Sequence, residues 1–222
     1  MKFRLPYKFF VDKILVWAED TWPTKPDAAG RIGIPTGIKM LGVLRVLGRA
    51  LHFDDIAELA GSDFSAETFR TFFHVFVAKF VEEFWDKEVH PPNDEETLRT
   101  AMAMFDAAGL TGAFGSTDGV HVRWDRAPHA HKHVFKGSKG YPSLSYSVTV
   151  GHNMFIYTST KGFTGNTNDL TASRWDNFLQ AVHSGMYGGQ VEYKLYNADG
   201  ELITMKGVWL LCDGGYHKWP RM

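Results

Sequence analysis

The sequence predicts an α+β fold: a helical region over residues 1–108, followed by an α/β region over residues 109–222. Three observations predict it. Apolar residues recur at helical spacing up to Ala108. After Gly109 the chain turns to glycine-punctuated segments rich in β-branched and aromatic residues. Among those segments stands a single stretch with helical periodicity. With 222 residues, 44% of them hydrophobic, the chain has material for a sizeable core in one large domain or two small ones.

In the helical region, "GIKMLGVLRVLGRAL" repeats apolar residues at Ile38, Leu41, Leu44 and Leu47–Leu51, leaving Lys39, Arg45 and Arg49 for the other face. The loop "HPPND" at 90–94 separates helical segments. Beyond Gly109 the strands are expected in "GAFGSTDGVHVRW", "LSYSVTVGH", "FIYTSTKGF" and "GVWLLCD". Between the third and fourth, "NDLTASRWDNFLQAVHSG" spaces Leu170, Trp175, Phe178, Leu179 and Val182 as a helix ending before Gly185. A hairpin around the "NADG" turn alternates Val191, Tyr193 and Leu195 with polar residues and is inserted before the last strand.

The stretch "FDDIAELAGSDFSAETFRTFFHVFVAKFVEEFW" reads as a helix-turn-helix: a short helix ending at Gly61, then a long one capped by Ser65. Phe69, Phe72, Phe73, Phe76, Phe80 and Phe84 share one face of the long helix and belong in a core. Arg70, His74 and Lys79 are left for solvent or for DNA phosphates, alongside Glu67, Glu82 and Glu83, which repel phosphate. The expectation is a buried phenylalanine stripe with Arg70 and Lys79 exposed.

Composition excludes some classes. The lone Cys212 cannot form an intramolecular disulfide. In the opening "MKFRLPYKFFVDKILVWAEDTW", Asp12, Lys13, Glu19 and Asp20 interrupt the apolar stripe before a membrane-spanning length, so neither a signal peptide nor a membrane partner is expected. A formal net charge of −1 gives no overall pull toward nucleic acid, so any such role rests on local patches.

Two carboxylates carry the chemistry. Asp118 in "GSTDGVHVRW" lies within an expected strand, and Asp213 in "LLCDGGYHKW" ends one; each is followed by glycine. Asp-Gly is also ordinary turn chemistry. A carboxylate on a buried strand, however, needs a cation or donor to offset its desolvation, and a divalent metal supplies that. On neighbouring strands the two acids converge, and two carboxylates on hard ions position an attacking water and a leaving phosphate oxygen. A strand bearing an acid, two more strands, a helix and a strand ending in a second acid is the order of a partial RNase H-like domain.

At these residues the sequence resembles the Harbinger-type DDE transposases, in particular the plant transposon protein branch. The matching stretches are "GSTDGVHVRWDRAP", "YPSLSYSVTVGHNMFIYTSTKGFTGNTNDL" and "CDGGYHKWP", with "LGVLRVLGRALHFDDIAELAGSDFSAETFRTFFHVF" in the helical region. The resemblance implies a DNA endonuclease and strand transferase dependent on Mg²⁺ or Mn²⁺, with Asp118 and Asp213 as the first two acids and as metal ligands. It also implies a nuclear location, DNA as partner, and a homo-oligomer or an accessory DNA-binding protein. The family's third acid is a glutamate on a helix beyond the second aspartate, to which no residue before Met222 corresponds. The expectation is therefore a truncated copy with weak cation binding and poor cleavage, alternatively a non-catalytic DNA- or protein-binding module. Trp209 and Leu211 are expected to be partly uncovered at an open sheet edge.

Other groups are subordinate. Asn168 and Asp169 stand where the following helix needs a cap, and Asp169 is a secondary candidate for the metal site. His129, His131 and His133 would face one way on an extended chain. With Arg123, Arg126, Lys132, Lys136 and Lys139 around them, the preferred reading is a basic loop that touches DNA phosphates rather than a zinc site. Cys212 reads as a small buried strand residue.

Overall fold

A computed structural model describes residues 5–26, 28–61 and 64–216, and the chain is α+β. It divides into two compact units, Met1–Trp85 and Asp86–Met222.

In the first unit, one continuous helical run is built from α1 (Tyr7–Phe9), a π-helical stretch (Phe10–Leu15) and α2 (Val16–Thr21). It is followed by α3 (Thr36–Arg49), α4 (Phe53–Ala60) and α5 (Ala66–Glu88). Aromatic packing holds these helices together. Trp17 meets Phe76, Phe80 and Phe84 edge-on, and Trp22 meets Phe72 with ring centroids 5.4 Å apart. Phe69, Phe72 and Phe76 are buried, while Phe73 and Phe80 are half-buried.

On α3 the buried line is Thr36, Met40, Gly42 and Val43, whereas Leu41 and Leu47 are exposed. The predicted apolar stripe is thus rotated. Gly42 sets this face, because a Cβ there would stand 2.8 Å from Phe69 Cδ1, so the glycine lets α5 approach.

α4 ends with Gly61 at φ +117°, and Ser65 Oγ accepts from Thr68 N–H at 3.2 Å, so both predicted boundaries of the helical pair hold. Ser62 and Asp63, in the expected turn between them, lie outside the described residues.

In the second unit, α6 (Glu95–Asp106) packs on β1 (Ala113–Arg123). Then follow a 3₁₀ turn (His129–His131), α7 (Lys132–Phe135), β2 (Ser143–Val150), β3 (Ile156–Ser159) and β4 (Phe163–Thr164). The chain goes on through α8 (Asp169–Trp175), α9 (Asn177–Ser184), β5 (Glu192–Tyr196), β6 (Leu202–Lys206) and β7 (Trp209–Leu211). The main sheet runs β3-β2-β1-β7, with β4 also paired to β2. β1 is antiparallel to β2 and parallel to β7. The expected hairpin forms its own two-stranded sheet, β5-β6.

One element differs from the sequence reading. The single expected helix is two, because Asp176 ends α8 and caps α9. Its Oδ1 accepts from the N–H groups of Phe178 (3.0 Å) and Leu179 (3.2 Å). Oδ2 accepts from Ser147 Oγ at 2.8 Å, so this carboxylate, 2% exposed, is satisfied by three donors. On β2 the hydroxyl-bearing residues are the buried ones. Ser143, Ser145, Ser147 and Thr149 are buried, and Leu144, Tyr146, Val148 and Val150 are only half-buried. Hydroxyl pairing makes this possible, as in the 2.7 Å contact between the Oγ1 atoms of Thr117 and Thr149.

Candidate functional site

Asp118 lies within β1, and Asp213 lies two residues past the end of the adjacent β7. The β1–β7 pairing runs to Ser116↔Leu211, and Asp118 and Asp213 each stand two residues beyond that last pair. Equal spacing from the last paired position puts both acids at the level where β7 ends. Asp118 Oδ1, within the strand, accepts from Gly119 N–H at 2.7 Å, and Asp213 Oδ1, at the turn after β7, accepts from Gly215 N–H at 2.8 Å. Both residues are exposed.

Asp169 joins them. Asn168, not Asp169, caps α8, its side chain accepting from Thr171 N–H at 2.8 Å. The capping role considered for Asp169 is therefore filled by its neighbour. Relieved of it, the Asp169 carboxylate lies over β1: a Cβ on Gly119 would stand 2.9 Å from its Oδ1, and one on Gly215 would stand 3.3 Å from its Oδ2. The two glycines after the strand acids thus make room for a third acid from the helix. Burial holds the Asp169 carboxyl above its ordinary range, as do Asp213 and Asp118, while His121 and Lys139 oppose the rise. Its carboxylate accepts no hydrogen bond from any described residue.

Tyr216, which sequence reasoning left unused, is buried in the core beside the acids. Its hydroxyl would stand 4.0 Å from a Cβ on Gly119. Burial pushes its phenol up, and Asp169, Asp118, Asp213 and Cys212 push the same way, so it stays protonated. Cys212 is half-buried against the core, its thiol raised by burial and by Asp213. His121 was also missed. Its Nδ1 lies 3.0 Å from Oγ of the fully buried Ser143. Its only signal in the sequence was its spacing, two residues after Gly119 on the same strand.

The three carboxylates supply hard oxygen donors from three different elements. Among the described residues, however, no group of three His, Cys, Asp or Glu side chains is arranged to hold a metal ion.

The basic connection between β1 and β2 is not extended. His129, His131 and His133 fall in the 3₁₀ turn and α7, all exposed, so the alternate-residue geometry of an extended chain does not arise. Arg123 bonds Asp125 at 2.5 Å and lies over the Tyr141 ring, 5.3 Å from its centroid. Arg126, Lys132, Lys136 and Lys139 are exposed. In the helical unit Arg70 is exposed and paired with Glu67 at 2.6 Å, and Lys79 is half-buried and paired with Glu82 at 3.1 Å. Trp209 and Leu211, on the edge strand β7, are half-buried. No helix among the described residues is long and apolar enough to cross a membrane.

No curated protein and no solved structure matches the chain. Residues 88–222, more than half of the chain and all of the strands that carry the acids, match the family described as Plant transposon protein, and the chain belongs to that family.

Proposed function

We propose that this transposase-derived chain is a divalent-cation-dependent DNA endonuclease and strand-transfer protein of the Harbinger DDE type, acting through Asp118, Asp213 and Asp169. The observation that carries the reading is the approach of Asp169 to Asp213, whose oxygens would stand 3.3 and 3.0 Å from a Cβ on Gly215, with the charge of Asp118 also acting on Asp169. Strand order supports it. Antiparallel β3-β2-β1 continued by a parallel β7, with α8 and α9 intervening in the chain, is the arrangement expected of an RNase H-like core.

The donor set fits Mg²⁺ or Mn²⁺, which take carboxylate oxygens, and the Asp169 carboxyl, raised first by burial and then by Asp213 and Asp118, is one whose neighbouring charge a cation would offset. Such an ion supplies activation of a water or a 3′ hydroxyl and neutralisation of charge on the phosphoryl oxygens. Asp118 and Asp213 would hold it, each with Oδ1 already fixed by a glycine N–H and Oδ2 left for the ion, and Asp169 would close the third side. Arg123, Arg126, Lys132, Lys136 and Lys139 would hold the DNA backbone. The reading implies a nuclear location.

A second reading, DNA binding without cleavage, is favoured by one observation, the absence among described residues of a three-ligand arrangement ready for a metal. Nicking of supercoiled DNA in Mn²⁺ separates the two. The nuclease reading expects nicking by the wild type that is lost in Asp118→Ala and Asp213→Ala, whereas binding without nicking in any of the three establishes the second reading.

A further inference from the structure

We propose that His121 is a substrate-binding residue of this site, a hydrogen-bond donor to a DNA phosphate held beside the three aspartates. The inference rests on the DNA-processing reading above and assigns the phosphate contact within it. Three placements carry it. His121 follows Gly119 by two residues on β1, so its side chain leaves the strand on the face where Asp169 lies over Gly119. Its Nδ1 lies 3.0 Å from Ser143 Oγ, and Ser143 is fully buried on the neighbouring strand, directly paired with Arg123 in the ladder. The imidazole itself is only half-buried, so one end is anchored in the sheet and the other is left to the site.

Where the Ser143 hydroxyl donates to Nδ1, Nε2–H is a donor. The acids cannot hold a phosphate themselves, since carboxylates repel it. His121 and Lys139 are the groups whose charge acts against the acids at Asp169, so they are the ones suited to an anion there. Lys139 brings full charge from a flexible stem, and His121 brings a fixed direction. A phosphate between them and a cation on the aspartates would be held on both sides.

The test uses the full chain and a labelled DNA duplex, with Ca²⁺ as a cation that supports binding without turnover, read by fluorescence anisotropy across a salt series. His121→Ala is expected to loosen binding about tenfold. Lys139→Ala is expected to loosen it while lowering the slope of log K against log salt by about 1. Ser143→Ala, which keeps the imidazole but frees it, should give part of the His121→Ala loss, and His121→Gln, whose amide still donates, should recover part of it. Thermal melts confirm that each variant is folded, and His121→Gln carries the test if His121→Ala is not.

Unchanged binding by folded His121→Ala, with Lys139→Ala weakened, overturns the role of His121 and leaves the DNA-processing reading standing. A wild type that does not bind the duplex overturns both.

Discussion

A Cβ added to Gly119 would stand 2.9 Å from Oδ1 of Asp169, so the bare backbone of β1 is what admits the acid of α8 beside Asp118. A Cβ on Gly215 would likewise stand 3.3 Å from Asp169 Oδ2 and 3.0 Å from Asp213 Oδ1, so Asp169 approaches Asp213 as well. Gly119→Ala meets only the end of a flexible side chain, so the fold should tolerate it, with a stability change within about 1 kcal/mol. Cation binding should suffer instead, by about tenfold, because Asp169 is displaced from the other two carboxylates. Chemical denaturation alongside calorimetric Mn²⁺ titration checks both halves.

Asp169→Asn removes a charge that the chelator-treated protein holds at a cost. The folded-state carboxyl lies above its ordinary value, raised by burial and by Asp213 and Asp118 against the opposing pull of His121 and Lys139. The native state therefore binds more protons than the unfolded chain, and wild-type stability falls as pH rises from the ordinary carboxylate range through the raised value. In EDTA the variant's melting temperature should exceed that of wild type by a margin that opens between acid and neutral pH. In Mn²⁺ the order should reverse. A margin that does not change with pH contradicts the charge argument.

Asp176 joins the α8–α9 junction to β2 and so holds the helix that carries Asp169. Asp176→Ala leaves Ser147 Oγ and two backbone N–H groups without their acceptor inside the protein. A loss of about 3 kcal/mol is expected. Asp176→Asn keeps one carbonyl acceptor for the backbone donors and should lose about 1 kcal/mol. Urea denaturation of the pair against wild type measures the difference.

The basic residues should divide by unit. Arg70 and Lys79 are already paired with Glu67 and Glu82 on α5, next to further acids, whereas Lys136 and Lys139 lie in a connection rich in cations. Lys136→Ala and Lys139→Ala should each reduce the salt slope of DNA binding by about 1. Arg70→Ala and Lys79→Ala should leave it unchanged. A reduced slope in Arg70→Ala would instead place DNA on the helical pair.

The strands that carry the candidate acids were legible in the sequence. "GSTDGVHV" and "GVWLLCD" alternate and punctuate as strands, and the observed β1–β7 pairing leaves Asp118 and Asp213 each two residues past its last pair. The part played by Asp169 was not. "GNTND" offers two caps, and only the turn geometry assigns that work to Asn168 and frees the next residue. Asp176 looked like a polar position on one helix, because a sequence does not display the Ser147 hydroxyl that waits on β2 to satisfy it. Serines line the buried face of β2 because they have partners there, His121 for Ser143 and Asp176 for Ser147, which a sequence does not display. On α3 the long apolar run allowed several stripes, and Gly42 selected the buried one by admitting Phe69.

The central claim is that Asp118, Asp169 and Asp213 share one divalent cation, and a Mn²⁺ titration followed by electron paramagnetic resonance tests it most directly. The full chain and the three single aspartate-to-alanine variants would be compared at neutral pH in the absence of DNA. The account predicts one site in the wild type that is weakened at least about tenfold in each variant, since every ligand removed takes a charge-assisted contact with it. Wild-type protein that binds no Mn²⁺, or a site that all three variants retain, would contradict it.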